Sequence, residues 1–465
     1  MLTAVILSRY FNKIEYGTYR QILYVYTTLL VVFSLGLPNV FAYFLPRFKK
    51  EEGDFIIRKV NNILFLVGII FSALLFFFSD SIALLLNNKE LSMGLKIFSP
   101  MPFLMLPTVG LEGIFSTYKK TLYIAKYQII TRIIMLLCII IPVIFFKSSY
   151  QYALYGWLFS SVISLIIALN FKKIPFRGVI NKKADLTYKQ ILTFSLPLSI
   201  AGFWGIAIKS APQFFISRNF GTEFFAIFSN GFIELPFVSM VTVAASTILL
   251  PYFSQLVHNN SNVEELVKVW KSTLVKSTMI IYPIVIFFLI NSNNIIQLLY
   301  TKSYSQSVIY FQIAMSLNFF NIIIFAPLIF AFGKTKFYSL IHFLIAFLLW
   351  GLSYVSVFLF NTPIIFAILY VVLKIIMVFI FLYFSSRLLG KKIIQIIPLK
   401  KIVIIFVHSL TVGILINSSI SIIFYDCSMF LNLFINFFFF SIIVFFTGPL
   451  FSIKYFKLLK TFLKK

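Results

Sequence analysis

The sequence predicts an all-α polytopic membrane protein. Its plan is two six-helix lobes in parallel pseudo-repeat plus a C-terminal helix pair, with the first helix mostly missing. Three observations predict it. The 465 residues are 60% hydrophobic and only 11% charged, with a mean hydropathy of +0.99, whereas soluble domains carry roughly 25% charged residues. Apolar runs long enough to cross a bilayer, about 20 residues each, follow one another almost without pause. Finally, a Ser-Arg-x-Phe tetrad occurs at Ser8-Arg9-Tyr10-Phe11 and again 209 residues later at Ser217-Arg218-Asn219-Phe220. The same offset relates Tyr43-Phe44 to Tyr252-Phe253, Val32 to Val241 and Tyr19 to Phe228. A repeat this long in so apolar a chain marks a membrane protein built from two similar halves.

Taken in order, the apolar runs predict spans near 19–46, 60–86, 95–118, 122–146 and 150–171. Further spans are predicted near 190–216, 223–254, 270–291, 308–332, 336–360 and 363–386, then a last pair near 401–422 and 429–451. A stub, Met1–Leu7, precedes them. On the repeat offset, the helix at 190–216 corresponds to a segment that would begin before residue 1. The ancestral plan is therefore expected to hold 14 spans. A mis-assigned start codon and a natural truncation both fit, and the upstream reading frame decides between them. The expected division is a lobe at 1–171, a basic linker at 172–189, a second lobe at 190–386, and a hairpin with a basic tail at 387–465.

The net charge of +27 sits between apolar runs rather than on a soluble face, so no nucleic-acid partner is implied. Alternate loops, beginning with Arg47, Lys49 and Lys50 and including the linker from Lys172 to Lys189, hold 28 of the 40 basic residues; the intervening loops hold eight. An excess of Lys and Arg marks cytoplasmic loops. Both Ser-Arg-x-Phe copies then face outward, and the halves are parallel repeats. Prolines such as Pro38, Pro102, Pro107, Pro197, Pro236 and Pro327 interrupt the spans, and each removes a backbone donor and bends its helix. The short apolar start lacks a small-residue cleavage site, so no cleavable signal peptide is expected. Cys138 and Cys427 give neither a disulfide framework nor metal spacing.

No Walker loop, dinucleotide turn or metal cluster is present, and no catalytic residue, metal or cofactor is expected. Chemistry falls instead to ionisable groups inside spans, which normally face a cavity or a partner. Four bases qualify, Arg132, Lys209, Lys276 and Lys374, with two acids, Glu112 and Glu234. Lys209 shares a helical face with Ser195, Ser199, Gly202 and Gln213; snorkelling to the headgroups is the competing reading. Arg132 continues a stripe of Thr121, Ala125 and Gln128. Lys374 lies too deep in its span to snorkel easily, and Lys276 reads as interfacial. Glu234 is spaced from Asn230, and Glu112 from Ser116, by one turn. Either acid could take a coupling proton or sodium ion, or neutralise a buried base. Arg9 and Arg218 are matched by the repeat, either as helix C-terminal charges or as an outer phosphate-steering pair. The surplus of deep bases suits an anionic, phosphate-bearing substrate.

The segment from Ser195-Leu196-Pro197 to Leu250-Pro251-Tyr252-Phe253, with Glu15-Tyr16-Gly17-Thr18-Tyr19 and Ser34-Leu35-Gly36-Leu37-Pro38, resembles the polysaccharide flippases of the multidrug/oligosaccharidyl-lipid/polysaccharide exporter superfamily. The resemblance covers most of the chain in order. It implies two six-helix lobes, a trailing helix pair and a basic lumen, here supplied by Lys209, Arg132 and Lys374. It further implies ion-coupled alternating access that moves undecaprenyl-pyrophosphate-linked oligosaccharide across the bacterial cytoplasmic membrane for O-antigen or capsule. The expected partners are that lipid-linked sugar, the bilayer, and a polysaccharide polymerase and glycosyltransferases. The rival readings are a multidrug or metabolite antiporter, a peptidoglycan-precursor flippase and a membrane-embedded polymerase. The missing opening helix is the departure from the family's plan.

Overall fold

The computed structural model describes residues 2–146, 149–259, 263–424 and 427–458. Lys147, Lys460, Lys464 and Lys465, counted above in assigning the loops, lie outside the described residues. Among the described residues every regular element is helical, and 11 helical segments are long and apolar enough to cross a membrane, or 12 with the bent helix Tyr188–Gly231. The all-α polytopic expectation holds. The chain divides into two compact units, 1–227 and 228–465.

In the first unit the helices are α1 (Leu2–Tyr10), α2 (Lys13–Phe33), α3 (Pro38–Phe44), α4 (Lys50–Phe77), α5 (Ser79–Leu85) and α6 (Glu90–Phe98). They continue with α7 (Met101–Met105), α8 (Leu111–Thr117), α9 (Leu122–Phe146), α10 (Tyr150–Lys172) and α11 (Tyr188–Gly231). Local chemistry sets the starts. The Asn12 side chain accepts from the Glu15 N–H at 2.8 Å while Glu15 reaches back to the Asn12 N–H at 3.3 Å, a capping box that opens α2. Pro38 stands in the first turn of α3, where its missing N–H costs nothing. An aromatic chain of Phe33, Phe71, Tyr26, Phe98 and Trp157 ties α2, α4, α6 and α10 together, with ring centroids 4.5–6.0 Å apart. At Gly156 the backbones of α9 and α10 nearly touch: a Cβ there would stand 1.9 Å from the Cys138 carbonyl oxygen.

The second unit runs through α12 (Pro236–His258), α13 (Val263–Ile290), α14 (Ser292–Tyr300), α15 (Ser307–Ser316), α16 (Ala326–Ala331), α17 (Thr335–Leu359) and α18 (Ile364–Leu388). A short α19 (Ile393–Ile396) leads to the hairpin of α20 (Leu399–Ile423) and α21 (Met429–Thr447). Trp270, Phe253, Leu328, Leu382 and Leu389 form one buried cluster. The hairpin is fastened by polar bonds: Asn436 Nδ2 reaches Asn417 Oδ1 at 2.9 Å and Asn291 Oδ1 at 3.3 Å, and His408 Nε2 meets Thr447 Oγ1 at 2.8 Å.

The two halves repeat their element order: a long helix, short helices, a 3₁₀ turn, a short helix, then two long ones. The starts of α4, α9 and α10 precede those of α13, α17 and α18 by 213 or 214 residues rather than 209. The difference arises because the second half carries four more residues between its Tyr-Phe pair and the long helix that follows.

Several expected boundaries move. The run at 60–86 is two helices, α4 and α5, and the run at 308–332 is broken into α15, a 3₁₀ turn at Leu317–Phe319 and α16. The interruption expected between 216 and 223 falls at Gly221, whose non-helical backbone (φ +85°) suits glycine and where two helices meet within Tyr188–Gly231; a further break lies at 232–235. Pro236 causes that break by forcing Leu235 into an extended conformation. Glu234 therefore stands exposed outside any helix. Lys172, counted among the linker cations, is the buried last residue of α10, 1% exposed. The linker is itself docked on α4: the Lys182 N–H donates to the Glu51 carbonyl at 2.8 Å, and Leu186 is buried.

Candidate functional site

Prolines and a glycine break the span between α7 and α8, and the break shapes a site. Pro107 sits in a 3₁₀ turn, Leu106–Thr108, and Gly110 follows at φ +85°. Only glycine fits there, because a Cβ would lie 2.2 Å from the Phe41 ring. The chain then restarts as α8 with Glu112 in its first turn, where the helix dipole favours a carboxylate. Irregular backbone at membrane depth survives only where it is buried in protein or lines a cavity.

Here it lines a cavity of about 600 Å³ within the first unit. Asn39 of α3, the break and Glu112, and Tyr127, Gln128, Thr131 and Arg132 of α9 form much of its wall. Ser160, Ser161 and Ser164 of α10 complete the polar face, beside Trp157 and Met101. Gln128 Nε2 donates to Glu112 Oε1 at 3.2 Å. The stripe read from the sequence thus delivers Gln128 and Arg132 to the same hollow as Glu112. The result is one cavity offering a guanidinium to an anion and a carboxylate to a cation or proton, with amides and hydroxyls between them.

Of the eight residues singled out for substrate binding or ion coupling, Arg132 and Glu112 line this cavity, among the described residues. Lys209 is exposed on α11, next to Ser210, whose carbonyl accepts from the Tyr24 hydroxyl at 3.3 Å. Gln213 is half-buried one turn on, and Arg9 is exposed in the last turn of α1. Arg218 donates to the Leu85 carbonyl at 3.3 Å, complementing the C-terminus of α5. Lys374 and Glu234 belong to the second unit; Lys374 is half-buried and its charge reaches His342, while that of Glu234 reaches Tyr370. Lys276 is exposed on α13.

Sequence reasoning missed two arrangements. Lys172 Nζ lies 2.8 Å from both Asn61 Oδ1 and the Pro107 carbonyl, and 4.8 Å from the Phe41 ring centroid. The signal was there, in the four-residue steps Ser160, Ser164, Ala168 and Lys172. The other is a buried polar chain joining α2 to α11: Asn88 Nδ2 donates to Thr18 Oγ1 at 2.9 Å and to Gln21 Oε1 at 2.5 Å, and Gln21 Nε2 to Ser217 Oγ at 2.6 Å. Lys13 and Glu223 pair nearby at 2.8 Å. Ser217 opens the second copy of the repeated tetrad, so the pattern flagged the position without showing its use.

The profile of the polysaccharide biosynthesis protein family matches residues 6–309. The chain belongs to that family. No curated protein sequence matches this polysaccharide biosynthesis protein. Solved structures do share its fold. A multidrug resistance MATE family transporter of the MOP superfamily, in an inward-facing conformation, superimposes with a TM-score of 0.68 at 12% identity, over 84% of this chain and 93% of its own. The lipid II flippase MurJ, inward closed, gives 0.67 at 16% identity, over 96% and 97%. A MOP superfamily transporter from Pyrococcus furiosus gives 0.58 at 14% identity, over 84% and 91%. Similarity at this level establishes the fold.

Proposed function

We propose that this polysaccharide biosynthesis protein is a flippase. It moves undecaprenyl-pyrophosphate-linked oligosaccharide across the bacterial cytoplasmic membrane for assembly of O-antigen or capsule, by ion-coupled alternating access. The observation that carries the reading is the polar cavity with Arg132 and Glu112 in a chain of this family. A guanidinium binds phosphate bidentately, while Gln128, Asn39 and the serines suit sugar hydroxyls. The length of the match to the lipid II flippase, 96% of this chain, supports a lipid-linked substrate.

In this mechanism the pyrophosphate engages Arg132, with Lys209 and Lys374 as the other cations of the path. Gln213 meets the sugars, and Arg9 and Arg218 steer phosphate at the outer face. Glu112 and Glu234 exchange a proton or sodium ion. At the cavity, an anion drawn to Arg132 offsets the positive potential of the guanidinium, so substrate and coupling cation favour each other's binding.

The test is deletion in the source cell. Surface polymer should disappear and the undecaprenyl-pyrophosphate-linked intermediate should accumulate. Wild-type protein should reverse both, and Arg132→Ala at equal protein level should reverse neither. Unchanged polymer, or loss of polymer without the lipid intermediate, overturns the assignment. Drug efflux in place of polymer loss would favour the antiporter reading.

A further inference from the structure

The cavity's broken wall is held from behind by a side chain that does not itself line it. Lys172 ends α10 at 1% exposure, and both oxygens on its ammonium are neutral: Asn61 Oδ1 of α4 and the Pro107 carbonyl, each at 2.8 Å. The ring of Phe41, in α3, covers it at 4.8 Å. Pro107 lies inside the 3₁₀ turn of the break, where carbonyls lose the partners a continuous helix would give them. Phe41 is also the residue against which Gly110 packs. One ammonium therefore gathers α3, α4, α10 and the break, and the next residues, Thr108 to Gly113, face the cavity.

We infer that Lys172 is a positioning residue: its buried ammonium fixes the Leu106–Gly113 segment and so sets where Glu112 stands in the cavity. This deepens the flippase reading and rests on the cavity being its working site. A purely structural lysine would loosen the unit everywhere. A positioning lysine moves one wall and leaves the other.

The experiment compares two reporters in a cysteine-free full-length protein: Val109→Cys on the held segment, and Thr131→Cys on α9. Both positions line the cavity. Each is reacted with a small water-soluble methanethiosulfonate. With Lys172→Met, the rate at position 109 should change by about tenfold, the scale of freeing one buried carbonyl. The rate at position 131 should stay within about twofold, and Lys172→Arg should restore position 109. Should Lys172→Met not fold, Lys172→Gln, whose shorter side chain falls short of the Pro107 carbonyl, carries the same comparison. Equal changes at both positions, or none at 109, overturn the inference. Labelling needs no transported lipid, so its outcome is independent of whether the flippase assignment survives.

Discussion

Replacing Gly156 by alanine tests how closely the α9–α10 contact governs the cavity. The added Cβ would lie 1.9 Å from the Cys138 carbonyl oxygen and 3.1 Å from the Ile139 Cα. Ordinary contacts begin near 3.4 Å, so one backbone must move by about 1.5 Å. Neither neighbour is a flexible side chain. Overpacking of this kind costs about 3 kcal/mol, the upper end of the usual range. The matched control is Gly351→Ala in α17, where no atom lies within 4 Å of the new methyl; there alanine should gain about 0.5–1 kcal/mol. A chain of this length loses about 1 kcal/mol per degree near its midpoint. Thermal unfolding in detergent should therefore place Gly156→Ala about 3–4 °C below Gly351→Ala. The shift also displaces α9 six residues beyond Arg132. At a temperature where the variant is fully folded, transport should still fall by about 100-fold, the effect of a misplacement of about 1 Å. Trimming Cys138 to alanine should rescue neither loss, because the clash is with its backbone. Equal midpoints and equal transport for the two alanine variants would refute this account of the contact.

Other outcomes follow from the same geometry. Ser217→Ala strips Gln21 of its buried acceptor; an orphaned group in water-excluded protein costs about 1–3 kcal/mol, but membrane pairs average about 0.6, so a loss near 1 kcal/mol by thermal melting is expected, and Gln21→Leu with Ser217→Ala together should lose little more than Gln21→Leu alone. Arg132→Ala should abolish polymer export, whereas Glu112→Gln should flatten its dependence on the coupling-ion gradient while leaving binding of a soluble pyrophosphate intact, read by calorimetry. Between α5 and α6, the Ser92 hydroxyl and the Lys96 ammonium of α6 hold the Asp80 carboxyl of α5 below its usual range. A depressed carboxylate contributes fully above the unfolded value of about 3.9 and fades as pH drops through its lower folded value. Proteolysis within 79–98 should accordingly rise below about pH 4 in the wild type, and Asp80→Asn should show that susceptibility already at neutral pH.

Much of the fold was legible because the signals it needs are local. Apolar length sets spans, and the 209-residue recurrence fixes the two-part plan before any coordinates. The breaks were harder. Pro107 and Pro236 mark where a helix can fail, but they do not say which other groups close the gap. Gly110 is required by the Phe41 ring beside it, a residue 69 positions away. The stripe on α9 placed Gln128 and Arg132 on one face, and both line the cavity, whereas Glu112 gave only a one-turn spacing to Ser116, and its actual partner is Gln128 on another helix. Lys172 was misread for a simple reason. A lysine at the end of an apolar run, followed by Lys173, looks like a loop cation, and only the tertiary contacts reveal an ammonium turned inward.

The repeated plan gives a physical reason for where the site lies. Both halves interrupt the corresponding span, one at Leu106–Gly110 and the other at Leu317–Phe325. A broken helix in a bilayer exposes peptide groups that hydrocarbon cannot satisfy. The first unit satisfies them with an ammonium and with side-chain hydroxyls: the Phe103 N–H donates to Ser72 Oγ at 3.2 Å, and Thr108 Oγ1 donates to the Met105 carbonyl at 2.7 Å. The second unit uses a phenol and an amide, with Tyr282 OH donating to the Phe319 carbonyl at 2.9 Å and Asn318 Nδ2 donating to the Ala314 carbonyl at 3.5 Å. The acid stands only on the first of these breaks: Glu112 heads α8, whereas α16 begins Ala-Pro-Leu. Sequence divergence between equivalent breaks thus gives the first unit a carboxylate at the break and leaves the second without one there. Under the proposed ion coupling, that asymmetry would let one carboxylate bias one half and not the other.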